Sequence, residues 1–301
     1  MRPALVTGGS GFIGSYICRA LAEVGWRVHG AFGRHEEHVP PASRIRSVHV
    51  DLARSGSIAR VLDSIRPHLI VHTAAMSALK DCEQRPEMAR LVNTKATADL
   101  ADWCRQNDAH LIFFSTDQVF DGSEGSYSES DPPSPIHVYG RTKAEAEERV
   151  LESGATASVL RLSLVYGPSP GGQRSHHEQV LLAVRQNERL RFFSDEYRNP
   201  ILAADVAAVV VELAAMEGLG LLHLAGPDRM SRVDFGRAIL RAFGHEHVDF
   251  DTVTLAEANM MPRRPPDLSL DTSRARGLLT RTPRGVRDGL GLLAAEESRL
   301  A

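Results

Sequence analysis

Residues 7–14 read TGGSGFIG, and their reading decides the fold. They follow a short apolar run, PALV, and lead into FIGSYICRALAEVG, whose apolar positions recur at helical spacing as far as Gly25. Gly8, Gly11 and Gly14 therefore stand between a predicted strand and a predicted helix. Glycines there let the backbone turn tightly and approach a pyrophosphate, which the helix N-terminus stabilises with its free N–H groups and its dipole. Phe12 and Ile13, the first residues of that helix, belong to the same candidate cofactor site. The second strand, WRVHGAF, completes the strand, turn, helix and strand that such a motif requires.

Outward from this unit the alternation continues. SVHVDL and HLIVHTAA read as strands with the helix SIARVLDSIR between them, and the helix EMARLVNTKATADLADWCRQ leads to the buried-type strand HLIFFST. Strand and helix alternating over about 160 residues predict an α/β fold, a Rossmann-type doubly wound parallel sheet with helices on both faces. GSEGSYSESDPPSPI is a loop of about fifteen residues, long enough to predict a lid or a disordered segment. TKAEAEERVLE is a further helix, ASVLRLSLVYG a strand, and PSPGGQRSHH a second Gly/Pro loop. Residues 203–226 supply one more helix and a strand, LLHLAG, able to rejoin the sheet. The expected organisation is a dinucleotide-binding domain from 1–165 plus about 199–226. A smaller C-terminal substrate-binding domain, from 166–198 and 227–301, closes over the strand ends.

Composition narrows the function classes. The 301 residues are 43% hydrophobic and 24% charged, an ordinary globular balance with a formal net charge of −3. No basic stripe exists to hold a phosphate backbone, so nucleic acid is not an expected partner. Cys18, Cys82 and Cys104 are odd in number and have no metal-ligand spacing, which fits buried thiols in a reducing compartment. No apolar run reaches the ~20 residues of a membrane span, and MRPALV leads into glycines without a signal-peptide core, so a cytoplasmic location is expected and no membrane partner. The histidine groups HEEH at 35–38, His176 with His177, and His245 with His247 lack ligand spacing on a helix and read as solvated loop residues, with no metal site.

The second strand bears on cofactor choice. An NAD site usually ends this strand with an acid for the ribose 2′-hydroxyl. Here Gly33 and Arg34 come first, and an arginine pairs with a 2′-phosphate through a two-pronged contact. NADPH is therefore favoured, with NADH as the alternative. Asp51 and Leu52, after the third strand, are placed to flank the adenine, and the small Ala74 and Ala75 leave room for the nicotinamide half.

HVYGRTK at 137–143 carries the chemistry. With Tyr139 on the first turn of a helix, Lys143 lies one turn on, on the same face. A tyrosine with a pKa near 10 relays protons poorly at neutral pH unless a cation stabilises its anion, and an ammonium one turn away is placed to do so. The same ammonium is placed to bind ribose hydroxyls of a dinucleotide. Only Lys80, Lys95 and Lys143 are lysines in a chain with 35 Lys plus Arg. HLIFFST ends in Ser115 and Thr116; Thr116 is the candidate donor to a substrate oxygen as negative charge develops there, and Ser115 belongs with the cofactor set.

Taken in order, TGGSGFIG, STDQVFDG, YSESDPPSP, YGRTK, VLRLSLVYG, DEYRNPILAADVA and RRPPDLSLD resemble the extended short-chain dehydrogenase/reductase family, and within it the dTDP-4-dehydrorhamnose reductase branch, across nearly the whole chain. The resemblance implies reduction of a 4-keto group on a nucleotide-linked deoxysugar, with Tyr139 as proton donor assisted by Lys143 and Thr116. It implies a nucleotide diphosphate held by Arg198 and Arg264. The chain departs from the branch at Gln118, where a tyrosine is usual, and at Leu164, where a tryptophan is usual, both near the sugar. Related 4,6-dehydratases have glutamate where Gln118 stands; an amide cannot shuttle a proton, so dehydration is disfavoured. A sugar-nucleotide 4-epimerase with retained NAD is the enzymatic alternative. The other is a non-catalytic NADP-binding regulatory subunit, like that of methionine adenosyltransferase. A homodimer stays open.

Overall fold

The computed structural model describes residues 2–54 and 56–300. Pro3–Thr7 (β1) is buried at all five positions. Side chains alternate across a strand, so Ala4 and Val6 enter one apolar cluster while Leu5 enters another. A strand buried on both faces belongs at the middle of a parallel sheet. The others are β2 (Arg27–Phe32), β3 (Ile45–His49), β4 (Leu69–His72), β5 (His110–Thr116), β6 (Ala157–Leu162) and Gly220–Leu224. They run in the order Gly220–Leu224, β6, β5, β4, β1, β2, β3, with every neighbouring pair parallel. This is the expected doubly wound α/β sheet, and LLHLAG does rejoin it as the edge strand. The order reverses between β1 and β4, where a crevice opens at the C-terminal ends of the strands.

The helix α1 (Phe12–Glu23) and the helix Ala203–Leu213 cover one face through Ile17, Leu21, Val206 and Val210. The helices Ser57–Ile65, Ala96–Asn107 and Val138–Glu152 cover the other through Leu62, Leu100, Ala146 and Val150. Cys18, Cys82 and Cys104 are free and buried, and burial pushes the Cys18 thiol up to about 12. A third apolar cluster lies apart from the sheet: Tyr166, Val180, Phe192, Phe235, Ile239 and Leu290 build it from segments after β6. Among the described residues no helix is long and apolar enough to cross a membrane.

Three expectations need correction. The single helix read from EMAR to WCRQ is divided, with a π-helical turn at Leu91–Lys95 between Pro86–Arg90 and Ala96–Asn107. The Ser/Pro/Gly loop after β5 is packed down: Tyr127 stacks on Phe120 with ring centroids 4.1 Å apart, and its backbone pairs with Ser269 and Asp271. Its apolar anchor is a single tyrosine that the polar composition hides, so the segment is ordered and not free chain. His176 and His177 are not solvated: Ser175 and Glu178 form a capping box that starts the helix His176–Arg185 and turns both rings inward. Burial holds them neutral, with pKa values down to about 3 and about 4.

The glycine turn is sterically full. Gly8 has φ +69°, a left-handed conformation that favours glycine. A Cβ on Gly9 would lie 2.7 Å from the Cα of Gly30 in β2, and one on Gly14 would strike the Gly8 carbonyl oxygen. So Gly9 sets the distance from turn to sheet, a role the spacing of the other three glycines conceals. Gly9→Ala is expected to cost about 1–3 kcal/mol through overpacking, read as a lower urea midpoint at unchanged slope.

Candidate active site

At the C-terminal ends of β1 to β4 lies a cavity of about 600 Å³. Thr7, Gly8, Phe32, Arg34, Asp51, Leu52, Ala74, Ala75 and Met76 are among its walls, so six of the sequence-selected cofactor residues meet in one place. Arg34 is exposed on the rim and, among the described residues, its guanidinium has no ion pair. Asp51 is partly engaged, since its carboxylate accepts from Ala53 N–H at 3.0 Å and fixes the turn that carries Leu52. Gly11 and Gly14 complete the turn above, where Gly11 N–H donates to Gly8 carbonyl at 2.7 Å. The side chains of Phe12 and Ile13 turn away from the cavity, Phe12 packing edge-on to Tyr16 and Ile13 joining the apolar cluster behind α1, so only their backbone at the start of α1 faces the turn.

The helix Val138–Glu152 carries the sequence-selected pair, Tyr139 and Lys143, and packs Tyr139 against two residues of the cavity wall, Ala75 and Met76. His137 caps it, accepting Gly140 N–H at 3.0 Å on its ring nitrogen. Gly140 admits no side chain because the Gln118 carbonyl occupies the place of a Cβ. Tyr139 is buried against Ala75, Met76 and Cys82, the first two being cavity wall. Burial pushes its pKa up; the Thr116 hydroxyl opposes this, and the charge on Asp117 adds to it. Lys143 is 2% exposed. Its ammonium donates to the Phe114 carbonyl at 2.6 Å and lies 4.1 Å from the centre of the Phe113 ring. Burial lowers its pKa to about 7, against the pull of Glu147. The pairing thus differs from the expected one. The lysine answers a backbone carbonyl rather than the phenol, and burial leaves Tyr139 a weaker acid than free tyrosine.

One helical turn beyond Lys143, Glu147 holds the pair in place. It accepts three hydrogen bonds from the buried Arg161 guanidinium, at 2.7, 3.1 and 3.1 Å. The Ser115 hydroxyl also donates to it. Ser115 therefore supports the lysine from below and lines neither cavity. Asn93, in the π-helical turn, joins the two sides. Its side chain accepts from Met76 N–H at 2.8 Å and donates to the Met76 carbonyl and the Thr142 hydroxyl, both at 3.0 Å. Neither Asn93 nor the Glu147–Arg161 pair carries a motif, and only the i, i+4, i+8 spacing of Tyr139, Lys143 and Glu147 signals the latter.

A second cavity of about 340 Å³ adjoins, lined by Thr116, Asp117, Gln118, Leu164, Glu196, Arg198, Arg232 and Arg264. All four sequence-selected substrate residues meet here. Arg198, however, is buried and committed to the protein. It donates to the Tyr197 and Pro265 carbonyls and pairs with Asp117 at 3.7 Å and Glu196 at 3.3 Å. Arg264 pairs with Glu196 at 3.3 Å yet stays partly exposed. Glu196 is 1% exposed, and Arg232, Arg198 and Arg264 overcome the burial that would raise its pKa and hold it low. The sequence reading missed Arg232, whose Nη1 is buried without a partner among the described residues. Away from both cavities, His35, Glu37 and His38 bring one donor atom each within 4.8 Å of one another at the turn behind Arg34, a grouping their spacing did not flag.

A glycine turn at the switch point of a doubly wound sheet, beside a tyrosine and lysine one helical turn apart, gives this chain the extended short-chain dehydrogenase/reductase fold. The chain belongs to the family described as RmlD substrate binding domain, whose model matches residues 1–298. It is 32% identical to the probable low-salt glycan biosynthesis reductase Agl14 of Haloferax volcanii, over 97% of each chain. It is 29% identical to methionine adenosyltransferase 2 subunit beta of Mus musculus, over 96% of this chain and 87% of that one. Its fold superposes on dTDP-4-dehydrorhamnose reductase from Bacillus anthracis, crystallised with NADP, with a TM-score of 0.87 at 22% identity, covering 98% of this chain and all of the other.

The buried lysine makes stability depend on pH. Below about pH 7 folded and unfolded chains both hold the Lys143 proton. Between about 7 and its ordinary value of 10.5 the unfolded chain alone holds it, so stability rises with pH there. This contributes up to ~1.4 kcal/mol per pH unit. Urea unfolding at stepped pH is expected to show that rise in the wild type and a flatter profile in Lys143→Met.

Proposed function

We propose that this protein is an NADPH-dependent reductase of a 4-keto group on a nucleotide-linked deoxysugar, acting much as a dTDP-4-dehydrorhamnose reductase does. One observation carries the proposal. Tyr139 packs with Ala75 and Met76, which line the first cavity, and with Leu79, which lines the second together with the nearby Thr116. The first cavity suits a dinucleotide: the glycine turn with no room for a side chain at Gly8, small alanines at the strand ends and, on the rim, an arginine without an ion pair among the described residues. On this proposal 1–165 with about 199–226 holds the cofactor, and 166–198 with 227–301 holds the sugar nucleotide.

A bound reduced nicotinamide supplies the hydride. The protein's own groups place and protonate the carbonyl. Thr116 orients the oxygen from the end of β5, and Tyr139 delivers its proton as the oxygen gains charge. A raised phenol pKa keeps that proton on Tyr139 until it is needed. Lys143, one helical turn from Tyr139, binds the ribose hydroxyls and so places the cofactor beside the phenol. Arg34 takes the 2′-phosphate, Asp51 and Leu52 the adenine edge. Gln118 and Leu164 shape the sugar end, and Arg264 meets the diphosphate. The likeness to the Haloferax volcanii reductase supports this assignment.

The resemblance to methionine adenosyltransferase 2 subunit beta favours a second reading, a dinucleotide-binding subunit without turnover. The test mixes purified protein, NADPH and a dTDP-4-keto-6-deoxy sugar and follows reduced-nicotinamide absorbance. Turnover is expected, and Tyr139→Phe is expected to slow it by about 100-fold or more. Tight NADPH binding with no turnover on keto sugars, and capture of a methionine adenosyltransferase catalytic subunit, would establish the second reading instead. In the same assay Arg34→Ala is expected to lower the preference for NADPH over NADH by at least about tenfold; an unchanged ratio removes Arg34 from the 2′-phosphate.

A further inference from the structure

The loop PSPGGQRS, residues 168–175, joins the segments after β6 to the helix His176–Arg185, and one carboxylate closes it into a ring. Glu178 accepts from Ser169 N–H and Ser169 hydroxyl, both at 2.6 Å, and from Arg174 N–H and Ser175 N–H, both at 3.0 Å. Burial would raise its pKa, but these hydrogen bonds outweigh it and hold the carboxyl below its usual range, so it stays an acceptor at neutral pH. Inside the ring Gly172 N–H donates to the Ser169 carbonyl at 2.9 Å. Gly171 and Gly172 have φ of +85° and +71°, turns that only glycine makes without strain.

This ring is placed across the glycine turn. At its start, the Tyr16 hydroxyl of α1 lies 3.3 Å from where a Cβ on Gly167 would sit. At its tip, His38, from the turn that follows Arg34, lies 3.7 Å from the corresponding point on Gly171. At its far end Arg174 reaches the phosphate-binding turn itself, with Nη1 4.0 Å from the Cβ position of Gly11. Its backbone is tied to Glu178, yet among the described residues its guanidinium has neither a hydrogen bond nor an ion pair. An exposed arginine fixed at its base and free at its tip, beside Gly11 where the glycine turn enters the N-terminus of α1, faces whatever anion that helix end attracts.

We propose that Arg174 is a binding residue for the cofactor pyrophosphate, carried over the glycine turn by the Glu178-closed loop so that the dinucleotide is gripped from both sides of the crevice. The assignment rests on the dinucleotide reading above. It differs from that of Arg34 in its target: Arg34 addresses the 2′-phosphate, Arg174 the bridge that NADPH and NADH share. Glu178 acts as a positioning residue.

Titration calorimetry on the full chain separates these roles. Arg174→Ala is expected to weaken NADPH, NADH and ADP-ribose alike, by about 10- to 100-fold, and to leave the affinity for 2′-AMP, which lacks the bridge, unchanged. Arg174→Lys is expected to recover part of the loss. Glu178→Gln is expected to reproduce the loss for ADP-ribose, again with 2′-AMP unchanged. If the wild type binds these dinucleotides and Arg174→Ala binds ADP-ribose equally well, the Arg174 assignment is overturned alone. A wild type that binds none of them overturns the dinucleotide reading and this one with it.

Discussion

A single ammonium group buried under a tyrosine constrains the architecture around it. Removing a cation from water costs several kcal/mol unless its surroundings answer the charge. Around Lys143 they do so at three points: the Phe114 carbonyl at 2.6 Å, the face of the Phe113 ring, and Glu147 one turn further along the helix. Glu147 serves only because Arg161 from β6 and Ser115 from β5 hold it. The helix Val138–Glu152 is thereby locked to two neighbouring strands in a single register. Tyr139, one turn nearer the crevice, inherits its position from that lock.

The same logic extends across the crevice. Asp117, just past β5, is buried, and burial raises its pKa against the opposing charge of Arg198. Arg198 in turn grips Glu196 and the Pro265 carbonyl, and Glu196 gathers Arg232 and Arg264. A chain of alternating charge therefore runs from the strand that carries Thr116 to the segments that wall the second cavity. Because each buried member would be left uncompensated without its neighbour, the wall cannot drift from the sheet without separating charges at low dielectric. The charged part of the cavity wall is thus fixed, while Gln118 and Leu164 in the same wall are committed to no such pairing.

The periodic parts of the sequence were the legible ones. β1 and α1 announce themselves because burial on two faces demands a continuous apolar run, here PALV, and burial on one face a helical stripe. The glycines and the Tyr139–Lys143 pair are legible because few residues satisfy a full turn or a helical-turn spacing. What stayed hidden depends on partners distant in the chain. Asn93 gains meaning only when Met76 and Thr142 arrive on either side of it, and Arg198 looked like a free cation until Asp117, Glu196 and the Pro265 carbonyl surrounded it. Polar composition likewise misled at 122–136, where Tyr127 stacks on Phe120 and Ser126, Glu129 and Ser134 tie the loop to Ser269, His223 and Val119.

Arginine is the default cation of this chain, so the lysine at 143 calls for a physical reason, and the site supplies one. A guanidinium presents a planar fork that needs two acceptors, as Arg161 finds on the Glu147 carboxylate. The space under Tyr139 offers one carbonyl and one aromatic face, which suit a compact ammonium. An arginine also keeps its proton at every accessible pH. Lysine gives it up when buried, and here it does so near neutrality. His72, also buried beside that charge and pushed down to about 3, stays neutral and adds no second cation. The group behind the tyrosine is therefore one whose proton burial loosens, which no arginine in that place would allow.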